Sequence, residues 1–251
     1  MAAHALLEVE RLTKRYGDGD LVLRGVDVQV NAGECVVVLG CNGSGKSTML
    51  RCIAGLHAPS GGRICVDGSD LTALSGPSLR RARRSVAMVF QQSRLVTRRS
   101  ALVNVATGAL GRYDDLRTKF GMVPSAELSA ARVHLQTVGL EAFANQRAGT
   151  LSGGQSQRVA IARALAQRPA VLLADEPVAS LDPEAAEDVM RLLRRLADDG
   201  LAVLCVLHQP ELAARYAHRI VGLRSGTVAF DVAAERVQPH EVARLYAAVA
   251  A

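Results

Sequence analysis

The chain has 251 residues, 49% of them hydrophobic and 22% charged, which suits a globular α/β protein and excludes a disordered one. Thirty Lys and Arg against 24 Asp and Glu give a net charge of +6, yet aromatics are 3% and Trp is absent, so a base-stacking nucleic-acid surface is not expected. The longest apolar runs, 35–39, 171–174 and 201–207, are strand-length, and residues 1–20 carry charges without an apolar core, so neither a membrane span nor a secretory signal is expected.

In chain order, the first strand is predicted at 6–10, and alternating apolar and polar residues predict a second at 21–30. Asn31-Ala32-Gly33 then turns the chain into 34–39, a continuous apolar run typical of a strand buried on both faces. A Gly-rich loop follows, then a helix from Lys46 to about Leu56 that stops near Pro59. Segments 63–66 and 85–90 read as further strands, and Arg80, Arg81, Arg83 and Arg84 as a solvated helix face. From 92 to 168 the spacing turns helical, with Leu102, Val105, Ala106 and Ala109, then Leu128, Ala131, Leu135 and Val138. Strands resume at 171–174, 202–207, 219–223 and 227–231, with helices near 183–198 and 210–217. Strands alternating with helices imply a mostly parallel sheet. The expectation is a single domain over 1–251, its core formed by 1–91 and 169–251 around a nested helical subdomain, 92–168.

The five cysteines (35, 41, 52, 65 and 205) have no CxxC spacing and no clustered His partners, so they read as reduced thiols rather than zinc ligands. Gly40-Cys41-Asn42-Gly43-Ser44-Gly45-Lys46-Ser47 lies between a predicted strand and a predicted helix, where a Gly-rich loop wraps the phosphates of a nucleoside triphosphate. Gly40, Gly43 and Gly45 let the backbone curl around a phosphate without Cβ clashes. Lys46 is placed to reach the β- and γ-oxygens, Ser47 to ligate Mg²⁺ and Thr48 to touch the α-phosphate. Of the 30 basic residues 27 are Arg, so a lysine kept at this position is informative in itself. Asp175 and Glu176 end an apolar run, where ligands of α/β sheets bind; Asp175 is expected to hold Mg²⁺ through water, and Glu176 to orient and deprotonate an attacking water. Leu151-Ser152-Gly153-Gly154-Gln155, taken alone, is a capped helix start.

The continuation Ser156-Gln157-Arg158-Val159-Ala160-Ile161-Ala162-Arg163 makes the whole run resemble the defining motif of the ATP-binding-cassette (ABC) family, and the resemblance covers essentially the entire chain. It implies a P-loop NTPase (RecA-like) core with a mostly parallel sheet, an antiparallel β part near the N-terminus and the nested helical subdomain. Ser152, Gly153, Gly154 and Gln155, with Asp182 in the loop Ser180-Leu181-Asp182, would then contact ATP held by a second copy of the chain. There a helix N-terminus supplies positive charge in place of an arginine finger. The resemblance also makes His208 a sensor of the γ-phosphate and Gln91 a contact to Mg²⁺ that links the core to the helical subdomain. Tyr16 becomes the aromatic stacked on adenine; a core-packing tyrosine is the ordinary alternative.

At finer grain, Phe90-Gln91-Gln92-Ser93-Arg94-Leu95-Val96, Asn104-Val105-Ala106-Thr107-Gly108-Ala109-Leu110-Gly111-Arg112 and Leu207-His208-Gln209-Pro210-Glu211 are similar to the ATPase subunit of phosphonate importers. The implied protein is an ATPase, with ATP and Mg²⁺ as cofactors, at the cytoplasmic face of the cell membrane. Its implied partners are a second copy, transmembrane permease subunits and, indirectly, an extracytoplasmic solute-binding protein. The solute is read by those partners, so phosphonate rests on the resemblance alone. An importer of phosphite or another small solute and a lipoprotein exporter are the alternatives within transport. A nucleic-acid or ribosome ATPase would normally fuse two cassettes or insert a coiled coil or zinc module, and neither is visible. A non-catalytic cassette should have lost Glu176 or His208, and both are present. Segment 93–102 mixes apolar side chains with three Arg, and Leu95 and Val96 are expected to receive a short cytoplasmic helix of the permease.

Overall fold

The structure, a computed structural model, describes residues 5–113 and 122–247. Residues 114–121, part of the stretch expected to be helical, lie outside the described residues. The chain runs β1 (Ala5–Arg15), β2 (Leu21–Asn31), β3 (Cys35–Leu39), α1 (Lys46–Ile53), β4 (Gly61–Val66), β5 (Ser69–Asp70), α2 (Gly76–Ala82) and β6 (Val86–Val89). It continues through α3 (Ala101–Thr107), α4 (Ser125–Thr137), α5 (Gly153–Leu165), β7 (Val171–Asp175), α6 (Pro183–Asp198), β8 (Ala202–Val206), α7 (Pro210–Tyr216), β9 (Arg219–Arg224), β10 (Thr227–Ala233) and α8 (Pro239–Tyr246).

Six strands form one sheet in the order β10-β9-β3-β8-β7-β6, parallel except for the antiparallel edge strand β10. The remaining four form an antiparallel sheet, β2-β1-β4-β5. Every residue of β3, β7 and β8 is buried, and their side chains alternate between two apolar layers. Cys35, Val37, Leu39, Leu172, Ala174, Val203 and Cys205 enter a cluster shared with α3 through α7. Val36, Val38, Val171, Leu173, Leu204 and Val206 enter a second cluster with α1 and the antiparallel sheet. This is why these strands read as unbroken apolar runs: a strand covered on both faces needs no polar alternation.

Helices α5 and α6 start on identifiable caps. Asp182 accepts from the Ala185 N–H at 2.9 Å and is followed by Pro183 in the first turn of α6. Ser152 and Gln155 form a reciprocal capping box at the head of α5, with bonds of 3.2 and 3.0 Å. One side of α6 buries Val189, Met190, Leu192, Leu193 and Leu196 against the sheet, worth roughly 1.5–3 kcal/mol for each side chain fully buried.

Some boundaries differ from the sequence expectations. The first strand runs on to Arg15, because β4 and β2 pair with it along its length, and α1 ends at Ile53, where Gly55 at φ 65° breaks the helical path. Cys35, Cys52 and Cys205 are buried in the two apolar layers, Cys65 is buried in β4 and Cys41 is half-buried in the Gly-rich loop. Burial pushes the Cys35 thiol up to about 12 and the Cys205 thiol well above its usual value, so both behave as packing groups. Among the described residues no helix is long and apolar enough to cross a membrane.

Candidate functional site

The site is built where the parallel strands end. From β3 the chain enters Gly40–Gly45 and leaves as α1. A side chain at Gly40 would place its Cβ 2.2 Å from the Leu223 carbonyl oxygen. Gly45 holds φ 106°, and a Cβ there would meet Leu23 at 2.8 Å. Only glycine allows the loop to lie this close to β9 and β2. No side chain caps α1 and its first turn has no acid, so its first N–H groups are free of a capping carboxylate or hydroxyl. These groups line a cavity of about 250 Å³ formed by Val22, Asn42, Gly43, Ser44, Gly45, Lys46, Ser47, Thr48 and Glu176. Such a helix start attracts anions, and phosphate above all.

Lys46 folds back over the loop, its Nζ donating to the carbonyls of Gly40 at 2.8 Å and Cys41 at 2.9 Å. Burial holds its pKa below the usual lysine value, an effect opposed mainly by the Glu176 charge. Across the mouth, Ser47 Oγ donates to Asp175 Oδ1 at 2.8 Å. Burial raises the Asp175 carboxyl above the usual carboxylate range, and the Ser47 hydrogen bond works in the opposite sense. Glu176 follows with φ 50°, a left-handed backbone that a non-glycine residue adopts at a cost of roughly 1–3 kcal/mol. Its N–H bonds the Val206 carbonyl at the end of β8 at 3.2 Å, and its Oε1 lies 2.6 Å from His208 Nε2. The strained turn swings the carboxylate off the line of β7, toward both the loop and His208.

The structure therefore brings Lys46, Ser47, Asp175, Glu176 and His208 together with the Gly-rich loop and Thr48 at the C-terminal ends of the central strands, while Gln91, Ser152–Gln155, Asp182 and Tyr16 lie outside the cavity lining. Gln91 is exposed just beyond β6, outside the cavity lining. The backbone around it is tied to α5: Gln157 donates to the Phe90 carbonyl at 3.3 Å, and Arg163 to those of Ser93 at 2.7 Å and Arg94 at 2.8 Å. Leu95 turns inward against the core, contrary to the expectation that it shares a surface with Val96, which is 56% exposed. The reason is local. The buried Asn104 side chain binds Val96 N–H at 2.7 Å and Val96 carbonyl at 3.1 Å, fixing which neighbour faces out.

Ser152 and Gly153 are exposed, and among the described residues none of Ser152–Gln155 lines the cavity. They sit beside the head of α6, where a Cβ at Gly154 would lie 2.9 Å from that of Ala185, so Asp182 and the capping box share one surface. Tyr16 is 45% exposed beyond β1, which rules out the core-packing alternative. Two neighbours of the site escaped the sequence reading. Val22 belongs to an alternating strand whose inward side chains carry no chemical label. Tyr246 reaches the His208 carbonyl at 3.4 Å from α8, and burial raises its phenol pKa.

A sequence profile of the ABC transporter family matches residues 23–179. The chain belongs to the ABC transporter family. The phosphonates import ATP-binding protein of Frankia casuarinae is 53% identical over 241 residues, spanning 95% of each chain. That of Nocardia farcinica is 47% identical over 245 residues, covering 97% of this chain and 91% of its own. Among solved structures, the dimeric ATP-binding cassette MJ0796 bound to ADP and Pi superposes with a TM-score of 0.78 at 35% identity, over 92% of this chain and 100% of that one. A cassette of Clostridium perfringens, cbiO1 of the cbiONQ transporter complex, gives 0.83 at 30% identity over 96% and 94%. This ABC transporter subunit is an ATP-binding ATPase.

The charge state of Asp175 gives the ABC ATPase a testable signature. Its carboxyl titrates higher in the folded than in the unfolded chain, so ionising it costs stability. That cost is absent below the ordinary carboxylate value and is complete once pH has risen through the raised one. Asp175→Asn stays neutral, can still accept from Ser47, and leaves Lys46 its larger counter-charge, Glu176. Without nucleotide or Mg²⁺, the variant should unfold at a higher temperature than the native chain at pH 7, the gain shrinking as pH falls through the carboxyl titration. An unchanged or lower unfolding temperature at pH 7 contradicts this reading.

Proposed function

We propose that the cavity at the head of α1 takes the triphosphate of ATP, and that hydrolysis there powers uptake of phosphonates or related phosphorus anions through a membrane permease. The observation that carries the chemistry is the pair of contacts at the cavity mouth, Ser47–Asp175 at 2.8 Å and Glu176–His208 at 2.6 Å. Gly40, Cys41, Asn42, Gly43, Ser44 and Gly45 supply the loop, Thr48 in the first turn of α1 meets the α-phosphate, and Lys46 leaves the Gly40 and Cys41 carbonyls for the β- and γ-oxygens. Glu176 orients an attacking water and takes its proton, contributing general-base catalysis. His208, within hydrogen-bond reach of that carboxylate, holds it toward the γ-phosphate.

The donors present suit Mg²⁺. A serine hydroxyl and a carboxylate, both hard oxygen ligands, already meet, and among the described residues no group of three His, Cys, Asp or Glu competes as a closed protein cage. Mg²⁺ prefers few protein ligands, completing its shell with water and substrate phosphates. Ser47 and Asp175, with Gln91 brought in from the edge, would hold it. Bound there, it would neutralise phosphate charge.

Ser152, Gly153, Gly154, Gln155 and Asp182 do not line the chain's own cavity and are assigned to the ATP of a second copy. The dimeric form of the MJ0796 cassette supports that arrangement. The names of the relatives support import and phosphonate as solute. The chain then works peripherally at the cytoplasmic face, with permease subunits and an extracytoplasmic binding protein. Residues 92–168 act as the helical subdomain that carries motion from Gln91, between core segments 1–91 and 169–251.

Two substitutions test this reading. Glu176→Gln keeps the shape and removes the proton acceptor, so steady-state hydrolysis by the assembled complex should fall by ~10²–10⁴-fold while ATP binding persists. Hydrolysis near the native rate would remove Glu176 from its role. Val96→Asp places a charge on the exposed apolar position and leaves inward-facing Leu95 intact. Co-purification with the permease and solute uptake should be lost, with nucleotide binding by the isolated chain unchanged; normal assembly would move the docking surface elsewhere.

A further inference from the structure

Tyr16 is a large aromatic side chain left 45% exposed, yet three contacts hold its ring in place. Its Oη lies 2.6 Å from His57 Nδ1. The His57 ring stands nearly perpendicular to it, with an interplanar angle of 87° and centroids 5.6 Å apart. The Lys14 ammonium lies over the tyrosine ring, 4.8 Å from its centroid, and also donates to the Ala58 carbonyl at 2.7 Å. Two segments far apart in sequence, 14–16 and 57–58, are thus joined through one exposed ring.

The arrangement has a direction. An exposed tyrosine ordinarily samples several rotamers, and holding one costs entropy that these contacts must offset. The hydrogen bond and the perpendicular ring fix the plane, and the ammonium covers one face, leaving the opposite face to a planar partner. A lysine suits this place, even in a chain where 27 of 30 basic residues are Arg. Its compact ammonium touches ring and carbonyl together, where a planar guanidinium would lie flat on the ring. The brace also reaches the phosphate cavity: the N–H groups of Leu56 and His57 bond the Arg51 carbonyl in α1, at 2.8 and 3.1 Å, and α1 carries Lys46 and Ser47 at its head.

We propose that His57 and Lys14 are positioning residues that lock Tyr16 as a one-faced stacking platform for the purine base of the nucleotide. The proposal rests on the assignment of Tyr16 to base stacking and adds what orients it. His57 and Lys14 themselves touch no phosphate, and their effect is confined to ligands that carry a base.

The test compares equilibrium binding of ATP and of inorganic tripolyphosphate, which lacks a base, to the full chain. His57→Phe keeps an aromatic ring and loses the hydrogen-bonding nitrogen. It should weaken ATP by about three- to ten-fold, the size of one lost hydrogen bond, and leave tripolyphosphate unchanged. His57→Asn keeps both a donor and an acceptor at similar reach and should restore most of the ATP affinity. In a Tyr16→Phe background, His57→Phe should add nothing further, since both changes remove the same bond. Lys14→Met should shift ATP in the same direction as His57→Phe, again sparing tripolyphosphate. Equal weakening of both ligands by His57→Phe would make His57 a support of α1 and overturn the proposal. Native ATP affinity in His57→Phe, with ATP weakened in Tyr16→Ala, would overturn the brace alone. Native ATP affinity in Tyr16→Ala would instead overturn the stacking assignment beneath it.

Discussion

The hydrogen bond from Ser47 to Asp175 joins residues 128 positions apart, and the rest of the site depends on the register that allows it. In the sheet, β8 lies between β3 and β7, so the loop after β3 and the carboxylates after β7 flank the end of β8. His208 lies two residues past the end of that middle strand. The three strands are buried on both faces, which leaves their C-terminal ends as the place where polar groups can gather. A one-residue slip of β7 against β8 would turn Asp175 away from Ser47 and exchange the side chains that β7 places in the two apolar layers.

Unfavourable electrostatics and strain concentrate at these ends. Burial disfavours the charge on Lys46 and on Asp175 alike, and Glu176 sits in a left-handed backbone conformation. None of this serves stability; the proposed ligand, bringing negative phosphate to Lys46 and a cation to Asp175, would offset it. The capping box of α5 makes a different compromise. Ser152 and Gln155 satisfy each other within one chain, yet Ser152 stays exposed at a helix head that attracts anions.

The sequence made the phosphate loop and the buried strands legible because their constraints are local. Glycine is required where a Cβ would strike β9, and unbroken apolar runs follow from burial on both faces. The meeting of Asp175, Glu176 and His208 with that loop is a matter of strand order, which periodicity does not encode and the family resemblance supplied. The orientation of single neighbours was hidden. Leu95 and Val96 are alike in sequence, and only the side-chain bonds of Asn104 decide which faces out. Helix α8 was hidden as well, because it is eight residues long and its larger apolar residues, Val242, Leu245 and Tyr246, span barely one turn. His57 carries no signal of its own in the sequence, since its contact with Tyr16 spans 41 positions.

In the proposed arrangement each ATP is enclosed by two copies of the chain, since Ser152–Gln155 do not line the chain's own cavity. Mixing Lys46→Ala subunits with Ser152→Arg subunits tests it directly. Each variant alone should be inactive, the first for want of phosphate binding and the second for want of the helix head. In a mixed pair, the intact cavity of one chain meets the intact helix head of the other, so ATP hydrolysis should reappear on mixing and rise more steeply than protein concentration. Mixed pairs that form but stay inactive, or native hydrolysis that is strictly linear in the concentration of a demonstrated monomer, would contradict it.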